Sequence, residues 1–474
     1  MKRLFSIAAM LVLAPALLGQ QPDYAVYGKP LLPASKDPEI AAALQHVSAV
    51  EIRKDIATLL TFGNRNTISS NAADLPPHTG ILAASEWIQQ QFEQDSKACN
   101  GCLQVKVDEF IEPAATGKYA RITEPTRIRN LYAVLPGTDP LASKRIYLIT
   151  GHYDTRETDM MDVHDAAPGA NDDSSGTAVS LEAARVLSQH RFPATIIFAC
   201  VAGEEQGLNG SRHLAQFAKE QGWQLEGVLN NDIVGGDTTP RETLQSKSRV
   251  RVFSQGINPH AAAETIAREL ALGMENDSPS RELARSVLAT DSSYFPSAQR
   301  PFQAHMELRL DRFLRGGDHS SFSVLEFPAV RFTEWRENFN HQHQHVRTEN
   351  GVEYGDLLKF DDFAYIANVA RLNIATLATL AKSPGTPEEV RIVTSNLDNN
   401  TTLHWQAPKA NHLAVTYRVL WRETTTNNWQ RGQTTQALEM TLPISKDNVF
   451  FGVQACDALL QHCSPAVAPF PEKR

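Results

Sequence analysis

The sequence predicts an α/β protein, with a mostly parallel mixed sheet sandwiched by helices, joined to a small all-β sandwich. Three observations carry this reading. The apolar runs at residues 145–150 and 194–201 are continuous enough for strands buried on both faces. The segment 177–190 between them places apolar residues at helical spacing after a Ser-Ser-Gly start, giving strand, loop, helix, strand. Beyond residue 388 the pattern changes to short alternating strands divided by polar turns.

At 474 residues the chain is long enough for two or three domains, and 42% apolar with 21% charged residues is the composition of a globular protein. Its net charge of −9, without basic runs, disfavours nucleic acid and anionic membrane surfaces as partners. Met1-Lys2-Arg3 precedes an apolar run at 4–18 and a polar Gly19-Gln20-Gln21-Pro22, the pattern of a secretory signal cleaved after Gly19. A periplasmic or secreted protein is therefore expected. The run is short for a membrane span, and no later segment reads as long and apolar enough to cross a bilayer. Five cysteines suit an exported chain: Cys99 with Cys102 and Cys456 with Cys463 are expected to pair locally, leaving Cys200 as a thiol in a buried strand.

In chain order, residues 20–46 are Pro-rich and read as an irregular N-terminal arm. Residues 52–60 and 80–92 read as helices, the second clearly amphipathic, and 105–111 and 130–135 as strands. After the central unit come a helix at 208–218, a strand at 225–234 with Asp232 toward its end, a strand at 250–255 and a helix at 259–272. A turn bearing Asp318 and His319 follows, then a strand at 329–333 and the histidine run His341, His343, His345. A helix at 360–380 closes a domain spanning 47–383, and 384–388 is the linker. The remaining 389–474 hold strands at 390–394, 402–406, 414–422, 437–442 and 449–456, whose phrases resemble a fibronectin type III module.

A divalent metal needs carboxylates and imidazoles converging from different elements, and His152, Asp172, Glu205, Asp232 and one late histidine offer such a set near strand ends. Asp172, on the loop between the strands that bear the others, would be the bridge between two ions. In the doublet Glu204-Glu205 one carboxylate would bind metal and its neighbour would take the proton of the attacking water. Asp154, two residues after His152, is placed to accept the histidine's other N–H. Each element alone is ordinary; a His-x-Asp or a pair of loop carboxylates is usually a cap or a solvated feature. Their order and placement together point to a metal centre.

The strings GHYDT, APGANDDSSG, AGEEQGLNGS, NND and GGDHSSF resemble the zinc-dependent exopeptidase family that includes bacterial leucyl aminopeptidase, glutamate carboxypeptidase and glutaminyl cyclase. The resemblance covers about residues 47–383. It implies the zinc-exopeptidase sheet and two zinc ions, with His152 and Asp232 on one, Glu205 and a late histidine on the other, and Asp172 between them. It implies Glu204 as general base, Asp154 as the aspartate behind His152, and a peptide as substrate. The last ligand is expected at His341, with His343 as the alternative register. Because the aromatic hydroxyl usual before that histidine is missing, Arg315 is expected to stand in, with Asp318 and His319 as pocket-wall residues. The aminopeptidase reading leads. A carboxypeptidase or dipeptidase, a single-zinc glutaminyl cyclase and a non-catalytic receptor-like protein are the alternatives.

Overall fold

The computed structural model describes residues 22–295, 302–409 and 415–472; the expected signal sequence lies outside them. Among the described residues eight strands form the central sheet, in the spatial order Gln104–Glu112, Thr126–Leu135, Thr195–Val201, Arg145–His152, Gln224–Asn231, Ala329–Glu334, Arg249–Ser254, Gln303–Glu307. The four middle strands run parallel, and antiparallel pairings lie on either side of them. The sheet is thus mixed and mostly parallel at its centre, as predicted.

Alternation along the middle strands feeds two cores. Tyr147, Ile149, Ile196 and Phe198 pack with the helices Ser175–Leu187 and Phe363–Lys382 on one face. On the other, Leu148, Ile197 and Val228 meet Leu214 and Ala215 of the helix Asn209–Glu220. Close backbone approach sets where the first helix begins. A Cβ on Gly176 would lie 2.1 Å from the Asn231 carbonyl oxygen, and one on Gly151 2.4 Å from the Gly176 carbonyl carbon. Only glycine lets this helix start directly against two strand ends, which carries the Asp172 loop over the carboxyl edge of the sheet.

Three expectations need correction. The stretch 279–294, to which no element is assigned above, is the helix Pro279–Tyr294, capped by Ser278 and opened by Pro279. The helix Phe363–Lys382 is, by length and composition, apolar enough to span a bilayer, contrary to expectation. Its side chains from Tyr365 to Ala381 are largely buried in the core instead. The N-terminal arm, read as irregular, carries the helices Asp23–Val26 and Pro38–Ala43 and the short strand Lys29–Pro30.

That short strand pairs with Gly432 and Arg431 in the C-terminal part. The sandwich consists of two four-stranded sheets, and one of the eight strands therefore comes from the other end of the chain. The edge of Arg431–Thr435 gains a partner, and the buried Trp421 indole donates to the Tyr24 carbonyl at 2.9 Å. Asp23 accepts from the Ser445 amide at 3.0 Å. Trp421→Ala should cost about 3–5 kcal/mol, read as a lower denaturant midpoint. The sandwich also grips the helix Pro279–Tyr294: Trp429 donates to Glu282 at 3.0 Å, and Arg422 pairs with Asp277 at 2.6 Å. Both expected disulfides are present, and Cys200 is a buried free thiol.

Between the helices Ala49–Leu60, Gly80–Ala98 and Ser175–Leu187, burial pushes Asp55 and Asp95 up to about 7, and the Glu182 carboxylate adds to the push on both. An unfolded aspartate titrates near ~3.9, so between roughly pH 4 and pH 7 the native chain holds protons that the unfolded chain has lost. Stability from this group of carboxylates is therefore full below the unfolded value and falls as pH rises through that window. Asp55→Asn should flatten the fall, as measured by unfolding at a series of pH values.

Candidate metal centre

The centre lies along the carboxyl ends of the parallel strands. His152 is the last residue of its strand; Glu204 and Glu205 follow Val201 by three and four positions, and Asp232 follows Asn231. Asp172 arrives from the loop that opens the helix Ser175–Leu187. His343 arrives from the loop beyond Ala329–Glu334, at a left-handed φ of 54°.

These side chains fall into two groups. One donor atom each from His152, Glu204 and Asp232 lie within 4.8 Å of one another, and so do one each from Asp172, Glu205 and His343. Asp172 touches both histidines: its Oδ1 is 3.2 Å from His152 Nε2 and its Oδ2 is 2.8 Å from His343 Nε2. Glu205 Oε1 lies 2.8 Å from the same His343 nitrogen, yet neither atom has a hydrogen-bond partner although both are buried. Imidazole and carboxylate atoms that converge without bonding to each other fit a zinc ion as the group that would satisfy them.

His341, the expected last donor, lies outside both donor groups. Its ring stacks on Phe360, with centroids 3.6 Å apart, and Nδ1 lies 3.2 Å from both Asp237 and Thr239. It steadies a loop, and His343, the alternative register, joins Asp172 and Glu205. Two other expectations shift. Arg315 Nη1 pairs with Glu337 at 2.7 Å over the Phe339 ring and also donates to Gln342 Oε1 at 3.5 Å, so it reaches Asp172 only through Gln342. His319 points into the protein, 2.7 Å from the Leu310 carbonyl, and burial pulls its pKa down to about 4. Asp318 is fully buried; burial pushes it up to about 7, with the Asp232 and Asp154 carboxylates adding to the push.

Supporting contacts explain how the donors are held. Asp154 Oδ1 is 3.4 Å from His152 Nδ1, and its carboxylate also accepts the Glu204 and Glu205 amides at 3.3 and 3.1 Å. Asp173 ties the His152 amide (3.0 Å) to those of Gly176 (2.9 Å) and Ile233 (3.2 Å), joining three elements. Several other holders stand at positions that no local pattern marks. Asp356 accepts the Asn171 and Asp172 amides at 2.8 and 2.7 Å, and Gln342 donates to Asp172 Oδ2 at 2.9 Å. Arg65, wholly buried, donates to the carbonyls of Tyr153, Pro168 and Gly169 and to the Ser174 hydroxyl.

Packing carboxylates this densely polarises the groups. Burial, with Glu205, Asp232 and Asp318 beside it, pushes Glu204 well above the ordinary carboxylate range against the opposing pull of His152. Burial works against charging His343, but Glu205 and Asp172 hold its pKa up at about 10.

The sequence pattern of peptidase family M28 matches residues 130–350, the stretch that holds every donor above. A probable zinc metalloprotease of Leptosphaeria maculans is 42% identical over 442 residues, covering 93% of this chain and 99% of that protein. The chain belongs to peptidase family M28. A second probable zinc metalloprotease, from Pyrenophora teres f. teres, is 42% identical over 456 residues, covering 94% of this chain and 89% of its own. Among solved structures, the Legionella pneumophila LapA aminopeptidase is 20% identical, with 76% and 79% of the two chains covered and a TM-score of 0.48. A Porphyromonas gingivalis glutaminyl cyclase is 17% identical, with 70% and 97% covered and a TM-score of 0.47. The M28 match includes the 341–345 histidine run, and so spans both registers considered for the last donor.

Proposed function

We propose that this M28 protein is an exported aminopeptidase that holds two zinc ions and removes N-terminal residues from peptides. The observation that carries the reading is the pair of donor groups linked through Asp172, with Glu204 in the group of His152 and Asp232. The zinc assignment also draws on the probable zinc metalloproteases that match almost the whole chain.

His152 and Asp232 would hold one ion, Glu205 and His343 the other, and Asp172 would serve both. When bound, the ions would polarise the scissile carbonyl and lower the pKa of the attacking water. Glu204, within reach of the same donor atoms, would take that water's proton and return it to the leaving amine. Asp154 keeps the His152 ring oriented and holds the Glu204-Glu205 turn through its two amides.

Purified protein should contain two zinc equivalents and cleave aminoacyl chromogenic substrates. Chelation should abolish the activity, and added zinc should restore it. Zinc-free protein with full activity would overturn the metal reading. Cyclisation of N-terminal glutamine with one bound zinc would favour the glutaminyl cyclase alternative, and cleavage from the carboxyl end a carboxypeptidase.

A further inference from the structure

We propose that two arginines, Arg331 and Arg156, are positioning residues that each occupy the outer oxygen of one terminal carboxylate, so that Asp232 and Glu205 present a single oxygen to the metal pair. The inference rests on the two-ion reading above and adds to it the groups that fix how its carboxylates bind.

Arg331 sits in the middle of the strand Ala329–Glu334 and is fully buried. Its Nη2 donates to Asp232 Oδ1 at 2.6 Å, and its Nη1 to Asp311 Oδ2 at 3.2 Å and to the Gly316 carbonyl at 2.8 Å. A guanidinium without solvent is costly unless it is bonded; Arg331 bonds through both Nη atoms while Nε has no partner, and part of that bonding comes from a residue in the donor set. With Oδ1 held by Arg331, Oδ2 is the Asp232 oxygen that this guanidinium leaves for His152's group.

Arg156 does the same on the other side. It lies on the loop after His152, with its side chain 19% exposed, and its Nε donates to Glu205 Oε2 at 2.9 Å. Glu205 Oε1 is left over, and it is the buried, unbonded atom 2.8 Å from His343 Nε2. Arg156 Nη2 also lies 2.5 Å from His343 Nδ1, so one guanidinium touches two of the three members of that group. Each arginine therefore serves one donor group, Arg331 that of His152 and Asp232, Arg156 that of Glu205 and His343. Both charges also counter the repulsion among carboxylates crowded into one buried space.

The experiment strips metal from full-length wild type, Arg331→Met, Arg331→Lys and Arg156→Gln, then titrates zinc back against a competing chromogenic chelator. Wild type should take up two ions. Arg331→Met should lose about 10–100-fold in affinity for one ion and leave the other within about twofold, and Arg156→Gln should do so for the opposite ion. On a His343→Ala background, which keeps only the His152 group intact, Arg331→Met should weaken the remaining ion and Arg156→Gln should leave it unchanged. Arg331→Lys should recover part of the loss, because it keeps the charge but not the forked geometry. It also carries the test if the methionine variant fails to fold. Equal weakening of both ions by both variants would mark a general structural role and overturn the proposal, as would no change in either. A wild type that binds no zinc would overturn the metal reading itself, a result distinct from two ions bound with indifferent arginines.

Discussion

Glu204→Gln is expected to lower kcat by about 10²–10⁴-fold, the usual contribution of a positioned proton carrier, while zinc content stays at the wild-type level. The two readouts separate the roles that the geometry allows. Glu204 lies within 4.8 Å of donor atoms of His152 and Asp232, so proximity alone would permit it to be a ligand. Glutamine keeps the size and one carbonyl oxygen but cannot carry the proton, so a pure ligand role would show as lost zinc. Retained zinc with KM little changed and kcat collapsed is the signature of the base. Full activity in the variant would remove Glu204 from the chemistry.

His343→Ala should remove one of two zinc equivalents and reduce kcat/KM by more than about 100-fold, beyond the range set by losing an outer partner of a ligand. His341→Ala should keep both ions and most activity, and should lower the melting temperature by uncoupling the Phe360 stack and Asp237. The paired measurement matters because the three histidines alternate with glutamines over five residues and are chemically interchangeable on paper. Loss of zinc in the His341 variant alone would reverse the assignment.

That alternation shows where the sequence stopped being legible. Strand ends bearing His152, Glu204-Glu205 and Asp232 could be read because a buried strand announces itself by its apolar run, and its last residues must face the crevice. His343 has no such run behind it. Its selection comes from a left-handed backbone at position 343 and an aromatic platform, Phe360, that captures His341 instead. Gln342, between them, meets Asp172 from 170 positions away, and Asp356 supports the same residue from 184. Arg331 reaches Asp232 across 99 positions, from a strand whose spelling promises only a core element. Donors set by local periodicity were visible; holders set by loop closure were not. The β-sandwich divides the same way. Its own strands could be read from alternation, whereas Lys29–Pro30 is too short to announce a strand at all.

The borrowed strand bears on how the molecule is made. Tyr24 and Trp421, which bond each other, are 397 positions apart. At ~5–20 residues per second of synthesis, the leading segment waits on the order of 20–80 seconds before its docking surface exists. Over that interval the backbone around Lys29 and the Tyr24 ring lack the strand and the indole that they meet in the finished fold. A version cut at residue 384 to isolate the hydrolytic unit would make the wait permanent. It would hold a dangling leader with an open β-edge, prone to pairing with another copy, so head and tail should be kept together or trimmed together.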